Sequence, residues 1–312
     1  MIKKLLYFSA VSLLAISAVA AIFSNHLIHA TPTFPQSETI NRSGMWLQNA
    51  TEASGFVFGG HLYYIYTDRD LAGDNDQMKV VEPTLDSNGQ ITGQTDIATF
   101  GSGYGCQDVY TDGTTVWVFA TTCRMDFTHK ANPIVMMSST NLTSWTSPTT
   151  ILTANSSTQF YNVSADKNTD NGEVVVAYEQ QTTGNVWSTH FIQSTNMSSW
   201  SAVGGSWGQT PPEIKYVNGT WYIWGGAVVN GAGNTWMAKS TDLSNFTYSR
   251  ITVLRPVYEF EDINTTDFDI QEFNGMCYIF YMTGDQNTYM RLTYATYNGT
   301  LAQFVQAYQQ PN

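Results

Sequence analysis

Three features of the sequence predict an all-β fold, a five-bladed β-propeller of four-stranded antiparallel blades. First, a glycine-centred turn followed by β-branched and aromatic residues occurs five times: Gly60-His-Leu-Tyr-Tyr-Ile-Tyr66, Gly113-Thr-Thr-Val-Trp-Val-Phe119, Gly172-Glu-Val-Val-Val-Ala-Tyr178, Gly219-Thr-Trp-Tyr-Ile-Trp224 and Gly275-Met-Cys-Tyr-Ile-Phe280. Second, these glycines are 53, 59, 47 and 56 residues apart. Radial repetition of a four-stranded sheet gives a period of roughly 50 residues. Third, another repeat runs in phase: Ser139-Thr-Asn-Leu-Thr-Ser-Trp145, Ser194-Thr-Asn-Met-Ser-Ser-Trp200 and Ser240-Thr-Asp-Leu-Ser-Asn-Phe246.

The N-terminal segment has the order of an export signal. Lys3 and Lys4 precede an apolar run from Leu5 to Ile22, and small residues follow, with cleavage expected after Ala20 or Ala30. The competing reading is a retained membrane anchor, because such a run approaches the length of a span. On the signal-peptide reading, residues 1–30 are removed, residues 31–312 form a single propeller domain, and the protein is secreted, extracellular or periplasmic. Residues 31–45 read as a leader or a closing strand. Blades then begin near Trp46, Gln107, Phe160, Thr210 and Asn264. No segment after the signal has a helical period of useful length. Closing the ring requires residues near 46–52 or 31–40 to pair with the last blade, which removes exposed sheet edges.

Composition narrows the partners. Without residues 1–30, 11 basic residues face 25 acidic ones, a balance that argues against nucleic acid and anionic membranes. A surface rich in Ser, Thr, Asn, Tyr and Trp suits neutral, hydroxyl-rich ligands. The expected partner is a carbohydrate, bound by a monomer with no cofactor. Trp145, Trp200 and Phe246 are expected to pack between blades. Trp46, Trp187, Trp207 and Trp236 lie outside that repeat, and at least one is expected near the funnel mouth, where an aromatic face can meet a sugar. Cys106 and Cys123 flank the turn around Gly113 and either bridge in an oxidising compartment or remain thiols; Cys277 reads as a buried small hydrophobe. No Cys/His set has zinc-ligand spacing. The stretch from Asp68 to Asp76 is similar to a calcium loop, but Ala72 occupies a ligand position and no Glu closes it. A solvated loop is the simpler reading, and no metal site is expected.

In a propeller the innermost strands line the central channel. Aligned on the glycine turns, these strands read Gln107-Asp108-Val-Tyr, Tyr161-Asn162-Val-Ser164, Pro212-Glu213-Ile-Lys-Tyr and Asp267-Phe-Asp269-Ile, while blade one offers Ser54-Gly55 with Glu52 upstream. Asp108, Asn162, Glu213 and Asp269 are therefore expected to converge on one funnel. Asp267 shares the face of Asp269 by strand alternation, and Glu179 follows the second strand of blade three. Crowded carboxylates hold protons more tightly, and glycosidic cleavage needs one protonated and one ionised carboxyl group. The structural alternative is that these acids cap turns or satisfy inner-strand amides.

These motifs resemble the five-bladed propeller glycoside hydrolases of the arabinanase and β-xylosidase type, a family 43-like group, over about residues 46–308. Pro211-Pro-Glu213-Ile-Lys-Tyr-Val-Asn-Gly-Thr-Trp-Tyr222 is similar to the group's blade-four strand, whose Pro-Glu carries the general acid. Ser240-Thr-Asp-Leu-Ser-Asn-Phe246 is similar to its recurring turn. The stretch from Asn264 to Gly275, with Gly284-Asp-Gln286 after it, looks like the last blade of a divergent branch. The resemblance implies a glycoside hydrolase with Glu213 as general acid. The signal segment makes it a secreted one, and the inner-strand alignment leaves Asp269 or Asp108, or else Asp267, as base in a rearranged site, with Asn162, Glu179, Asp267 and Glu52 as expected substrate-binding residues. Inversion is the family expectation. The chain departs from the pattern at Ser54-Gly55, where the group has its base Asp, and at Asn162, where it has an Asp that modulates the acid. The rival reading is a carbohydrate-binding propeller that has lost the base. A third, a protein-interaction scaffold, needs an exposed apolar patch in place of an acidic funnel.

Overall fold

The computed structural model describes residues 40–48, 50–69, 76–122, 132–155, 157–182, 184, 186–285 and 289–309. The expected signal segment lies outside the described residues. Five four-stranded antiparallel sheets form the five blades. An N-terminal strand, β1 (Ile40–Gln48), precedes blade one, which holds β2 (Ala50–Phe58), β3 (His61–Asp68), β4 (Gln77–Leu85) and β5 (Ile91–Phe100). Blade two holds β6 (Gly105–Thr111), β7 (Val116–Thr121), β8 (Ile134–Ser139) and β9 (Thr149–Leu152). Blade three holds β10 (Thr158–Lys167), β11 (Val174–Thr182), β12 (Val186–Ser194) and β13 (Ser201–Ala202). Blade four holds β14 (Glu213–Val217), β15 (Thr220–Val229), β16 (Ala232–Ser240) and β17 (Thr247–Tyr248). Blade five holds β18 (Thr266–Phe273), β19 (Met276–Asp285) and β20 (Tyr289–Tyr297), with β1 as its fourth strand.

Ring closure follows the expectation. Strand β1 pairs with β20, matching Ile40 to Tyr297 and Trp46 to Thr293. A buried ion pair fastens the junction: Arg42 Nη1 lies 2.6 Å from Glu261 Oε1. The other contacts of Glu261 complete its shell, with the Tyr281 hydroxyl donating to Oε1 at 2.9 Å and the amides of Val257 and Tyr258 donating to Oε2 at 2.8 and 3.1 Å. This satisfies a charge that burial would otherwise make costly.

The apolar residues form a core at each of the five seams between neighbouring blades. Ile65 and Val80 meet Val109 and Val118; Phe119 meets Val163 and Val176; Ala177 and Phe191 meet Ile214 and Ile223; Trp224 and Met237 meet Ile270 and Ile279; and Phe280 and Tyr294 meet Tyr64 and Val81. The second repeat serves the same seams. In each copy the Ser hydroxyl accepts the amides two and three residues on, and the Asn or Asp carboxamide or carboxylate accepts two later ones, as in Ser139 with Leu142 (2.9 Å) and Asn141 with Ser144 (2.9 Å). The turn delivers its aromatic residue back to the preceding blade. Trp145 stacks on Phe100 at 4.0 Å, Trp200 meets Phe119 edge-on at 5.6 Å, and Phe246 stacks on Phe191 at 6.0 Å.

One element was not anticipated. An α-helix, α1 (Leu301–Tyr308), follows the last blade, opened by a capping box in which Gln303 N donates to Thr300 Oγ1 at 3.2 Å. It buries Phe304 against Trp224, Phe268 and Tyr297. Cys106 takes part in a disulfide and Cys277 is free and buried; the expected partner Cys123 lies outside the described residues.

Candidate active site

Four of the five innermost strands carry a β-bulge at the same height. Register shifts fall between Thr51 and Ser54, Gly105 and Asp108, Phe160 and Val163, and Thr266 and Asp269. A bulge inserts a residue and re-aims the side chains around it. In three of the four the inserted turn holds a residue in left-handed backbone: Glu52 (φ 43°), Cys106 (φ 50°) and Asp267 (φ 50°). Blade four has no such bulge, and its strand enters directly at Glu213 behind Pro211 and Pro212. The result is two levels of polar side chains in the channel, one at the bulges and one just past them.

The deeper level contains Asp108, Glu213 and Asp269, all buried, with one oxygen of each within 4.8 Å of the others. Lys215, two residues after Glu213 and hence on the same face of β14, places Nζ 2.7 Å from Glu213 Oε1. Ser164 donates its hydroxyl to Glu213 Oε2 at 2.7 Å and accepts the Ile214 amide at 2.9 Å. Asp108 Oδ2 accepts the Ala165 amide of blade three at 2.6 Å, and Asp269 Oδ1 accepts the Gly55 amide of blade one at 2.9 Å. Ser54 donates to the Gln107 carbonyl at 2.9 Å. These side chains tie neighbouring blades together, the structural role foreseen for the acids. Among the described residues, the second oxygens of Asp108 and Asp269 have no hydrogen-bond partner.

Charge is crowded here. Burial pushes the Glu213 carboxyl well above the usual carboxylate range, with Asp269 and Asp108 adding to the shift and Lys215 opposing it. Burial likewise lifts Asp269 to about 7 against the pull of Lys215. Burial disfavours the Lys215 ammonium, but Glu213, Asp108, Asp269 and Asp166 outweigh it and hold its pKa well above that of an ordinary lysine. The three clustered carboxylates have the spacing to bracket a metal ion, and Lys215 supplies a positive charge beside them.

The outer level opens to a pocket lined by Glu52, Asn162, Pro211, Pro212, Glu213, Asp267 and Asp269 among others. Asn162 Nδ2 donates to Glu179 Oε2 at 3.0 Å. Burial and the nearby charge of Asp267 raise Glu179 to about 7, although hydrogen bonds from Thr210 and Asn162 pull the other way. Arg69 Nη2 stands 3.6 Å from Glu52 Oε1, and its Nη1 stands 3.7 Å from Asp76. Residues 70–75 of the acidic loop lie outside the described residues.

The expected residues thus gather at one funnel but at two heights. Asp108, Glu213 and Asp269 meet as predicted. Asn162 does not join them: the blade-three bulge lifts it to the outer level, and Ser164 takes the inner place. Asp108 is 1 % exposed and lies outside the pocket wall, whereas Asp269 lies in it. Of the expected stacking tryptophans, Trp207 is buried between blades, beside Phe246. Neither Trp187 nor Trp236 lines this pocket, and the Trp46 side chain is outside the described residues. Lys215, Ser164 and Arg69 escaped the sequence reading. Lys215 was the most accessible of the three, since two-residue alternation from Glu213 places it in the channel.

No protein-family model and no curated protein sequence matches the chain. Solved structures do. An N-acetylgalactosamine deacetylase from F. plautii in complex with blood group B trisaccharide aligns with a TM-score of 0.65 and 9 % identity, over 87 % of this chain and 98 % of that one. The GH43_1 enzyme from Xanthomonas citri complexed with xylose gives 0.58 and 14 % over 82 % and 89 %. A GH43 β-xylosidase/α-arabinofuranosidase from a compost microbial metagenome, in complex with xylotriose, gives 0.57 and 13 % over 85 % and 97 %. With its five closed blades and acidic funnel, the chain shares the fold of the GH43 propeller enzymes.

Proposed function

We propose that the protein is a secreted glycoside hydrolase that cleaves an oligosaccharide or polysaccharide at the funnel by acid–base catalysis between two carboxyl groups. The observation that carries this reading is the pocket wall, where Glu213 stands beside Asp267, Asp269 and Glu52. Glu213 is the general acid. Burial and two neighbouring carboxylates raise its proton affinity against the pull of Lys215, while Ser164 and Lys215 fix its orientation. Its proton goes to the glycosidic oxygen as the bond to the anomeric carbon breaks. Carbohydrate is the substrate class on composition, on the polar funnel, and on the sugars named for the structurally similar proteins. Residues 1–30 direct export.

Inversion needs carboxyl groups about 6.5–9.5 Å apart, so that a water fits between them and the sugar. Asp108 and Asp269 approach Glu213 within 4.8 Å, which makes each a neighbour that raises the acid's proton affinity more readily than a partner across a water. The decisive experiment is hydrolysis by the purified protein across aryl glycosides, xylo-oligosaccharides and arabinans. Turnover of any of them supports the reading. Binding of oligosaccharide without turnover favours the carbohydrate-binding alternative, for which the amide contacts of Asp108, Ser164 and Asp269 give a purely structural use of the inner level.

A further inference from the structure

The outer level holds a carboxylate whose placement suits the missing half of the reaction. Asp267 sits in the blade-five bulge, two residues before Asp269 on β18, and both line the pocket. Asp267 is not among the three acids whose oxygens lie within 4.8 Å of one another, so it shares the pocket wall with Glu213 from outside that close cluster. Asp267 Oδ2 accepts the Thr266 hydroxyl at 2.8 Å. A second observation points to a ligand at this pocket: Asp269 Oδ2, in a residue only 3 % exposed, lies in the same wall without a hydrogen-bond partner among the described residues.

We propose that Asp267 is the general base of the reaction, a reading that rests on the glycoside hydrolase function with Glu213 as acid. The step balances within the site. Asp267 takes a proton from water, the water oxygen bonds to the anomeric carbon, the glycosidic bond breaks, and the departing oxygen takes the Glu213 proton. Solvent then resets the two carboxyl groups. The other candidates fit less well. Asp108 is outside the pocket wall. Asp269 has one oxygen committed to the Gly55 amide and stands too near Glu213. Glu52 has Oε1 beside Arg69, which makes it the counter-charge of that cation. Glu52, Glu179 and Arg69 are the charged groups that act on Asp267; burial and the charge of Glu52 lift it to about 7, while Thr266 and Arg69 work against the rise.

The test compares wild type with Asp267→Asn, Asp269→Asn and Glu52→Gln on 4-nitrophenyl β-D-xylopyranoside, 4-nitrophenyl α-L-arabinofuranoside and a wider aryl glycoside panel, with and without sodium azide. Asparagine tolerates left-handed backbone, so Asp267→Asn should fold. Asp267→Gly, which relieves that backbone entirely, serves as the second variant if melting shows otherwise. We expect Asp267→Asn to lower kcat by about 10²-fold or more and azide, a nucleophile that needs no base, to restore turnover as a glycosyl azide of inverted configuration. Activity within a few-fold of wild type overturns the assignment. So does a loss that azide does not rescue, which marks a positioning role, or rescue confined to Asp269→Asn or Glu52→Gln. If wild type cleaves nothing on the panel, the hydrolase reading fails and this inference with it.

Discussion

The inner and outer levels of the funnel are built from the same residue types and behave differently. The inner acids are spent partly on architecture: Asp108 and Asp269 each hold an amide of a neighbouring blade, and Glu213 holds Ser164 and Lys215. The outer acids Glu52 and Asp267 are themselves left-handed bulge residues, and their carboxylates accept no backbone amide of a neighbouring blade among the described contacts. Rigid acids below and less committed acids above are what a site needs if one group must present a proton in fixed geometry and another must meet water. The difference lies in the one extra residue that each bulge inserts, which places the outer acids at the bulge and the inner ones just past it, since all these side chains sit on innermost strands.

Removing the inner cation should separate the levels most strongly. Lys215→Met leaves Glu213, Asp108, Asp269 and Asp166 without their shared positive charge. Breaking a buried ion pair by deleting one partner costs about 3–5 kcal/mol. Denaturant unfolding at pH 7.5 should show a loss of that size, and it should shrink at pH 5, where more of the acids carry protons. An equal loss at both pH values would mean that Lys215 acts through packing alone.

Glu213→Gln comes next. It keeps shape and hydrogen bonding but cannot cycle a proton, so turnover of substrates with poor leaving groups should fall by about 10²-fold or more. Activated aryl leaving groups should lose much less. Full activity of this variant on a natural glycoside would exclude Glu213 as the acid.

Gly55→Ala probes the seam under the site. An added Cβ would meet Gln271 Cβ at 2.8 Å and Phe280 Cε2 at 3.0 Å, beside the amide that holds Asp269. Overpacking of this kind costs about 1–3 kcal/mol, measurable as a shifted unfolding midpoint. An unchanged midpoint would show that blades five and one can spread apart without cost.

The smallest effect is in the wild type. Asp269, Asp267 and Glu179 have pKa values raised to about 7, above those of carboxylates in an unfolded chain. The folded state therefore binds more protons between about pH 4 and pH 7, and the stability from these groups is lost as pH rises through that window. Tm should be higher at pH 5 than at pH 7.5, and Asp267→Asn should flatten the difference. A Tm that climbs with pH through this range would contradict the burial of these acids as uncompensated groups.

Much of the architecture was legible because it repeats. The glycine turns and the Ser-Thr-Asn/Asp turns mark the same blade positions five and three times, and each position has one local physical cause. The site was legible only in outline. Glu213, Asp108 and Asp269 could be aligned on the turns, but a bulge adds a residue without changing composition, so the displacement of Asn162 and the prominence of Ser164 left no trace in the spacing. The Arg42–Glu261 pair was hidden for another reason: its partners are 219 residues apart, beyond the reach of any local pattern. The terminal helix was within reach, since Thr300 and Gln303 have capping-box spacing, but its single turn pair offers too short a period to stand out.

The closing strand has a consequence for how the protein is made. Strand β1 precedes the other strands of all five blades in the chain, yet among the described residues its only sheet partner is β20, which emerges near the end. Until then β1 has an unpaired edge and Arg42 lacks its carboxylate, while blades one to four can already form along the chain in order. Completion of the ring is therefore a late, long-range event of the kind that slows folding. The funnel acids share that timing, because Asp267 and Asp269 arrive with the blade that β1 completes. Assembly of the site and closure of the ring become one step, and a chain truncated before blade five would carry Glu213, Asp108 and Glu52 without Asp267 and Asp269.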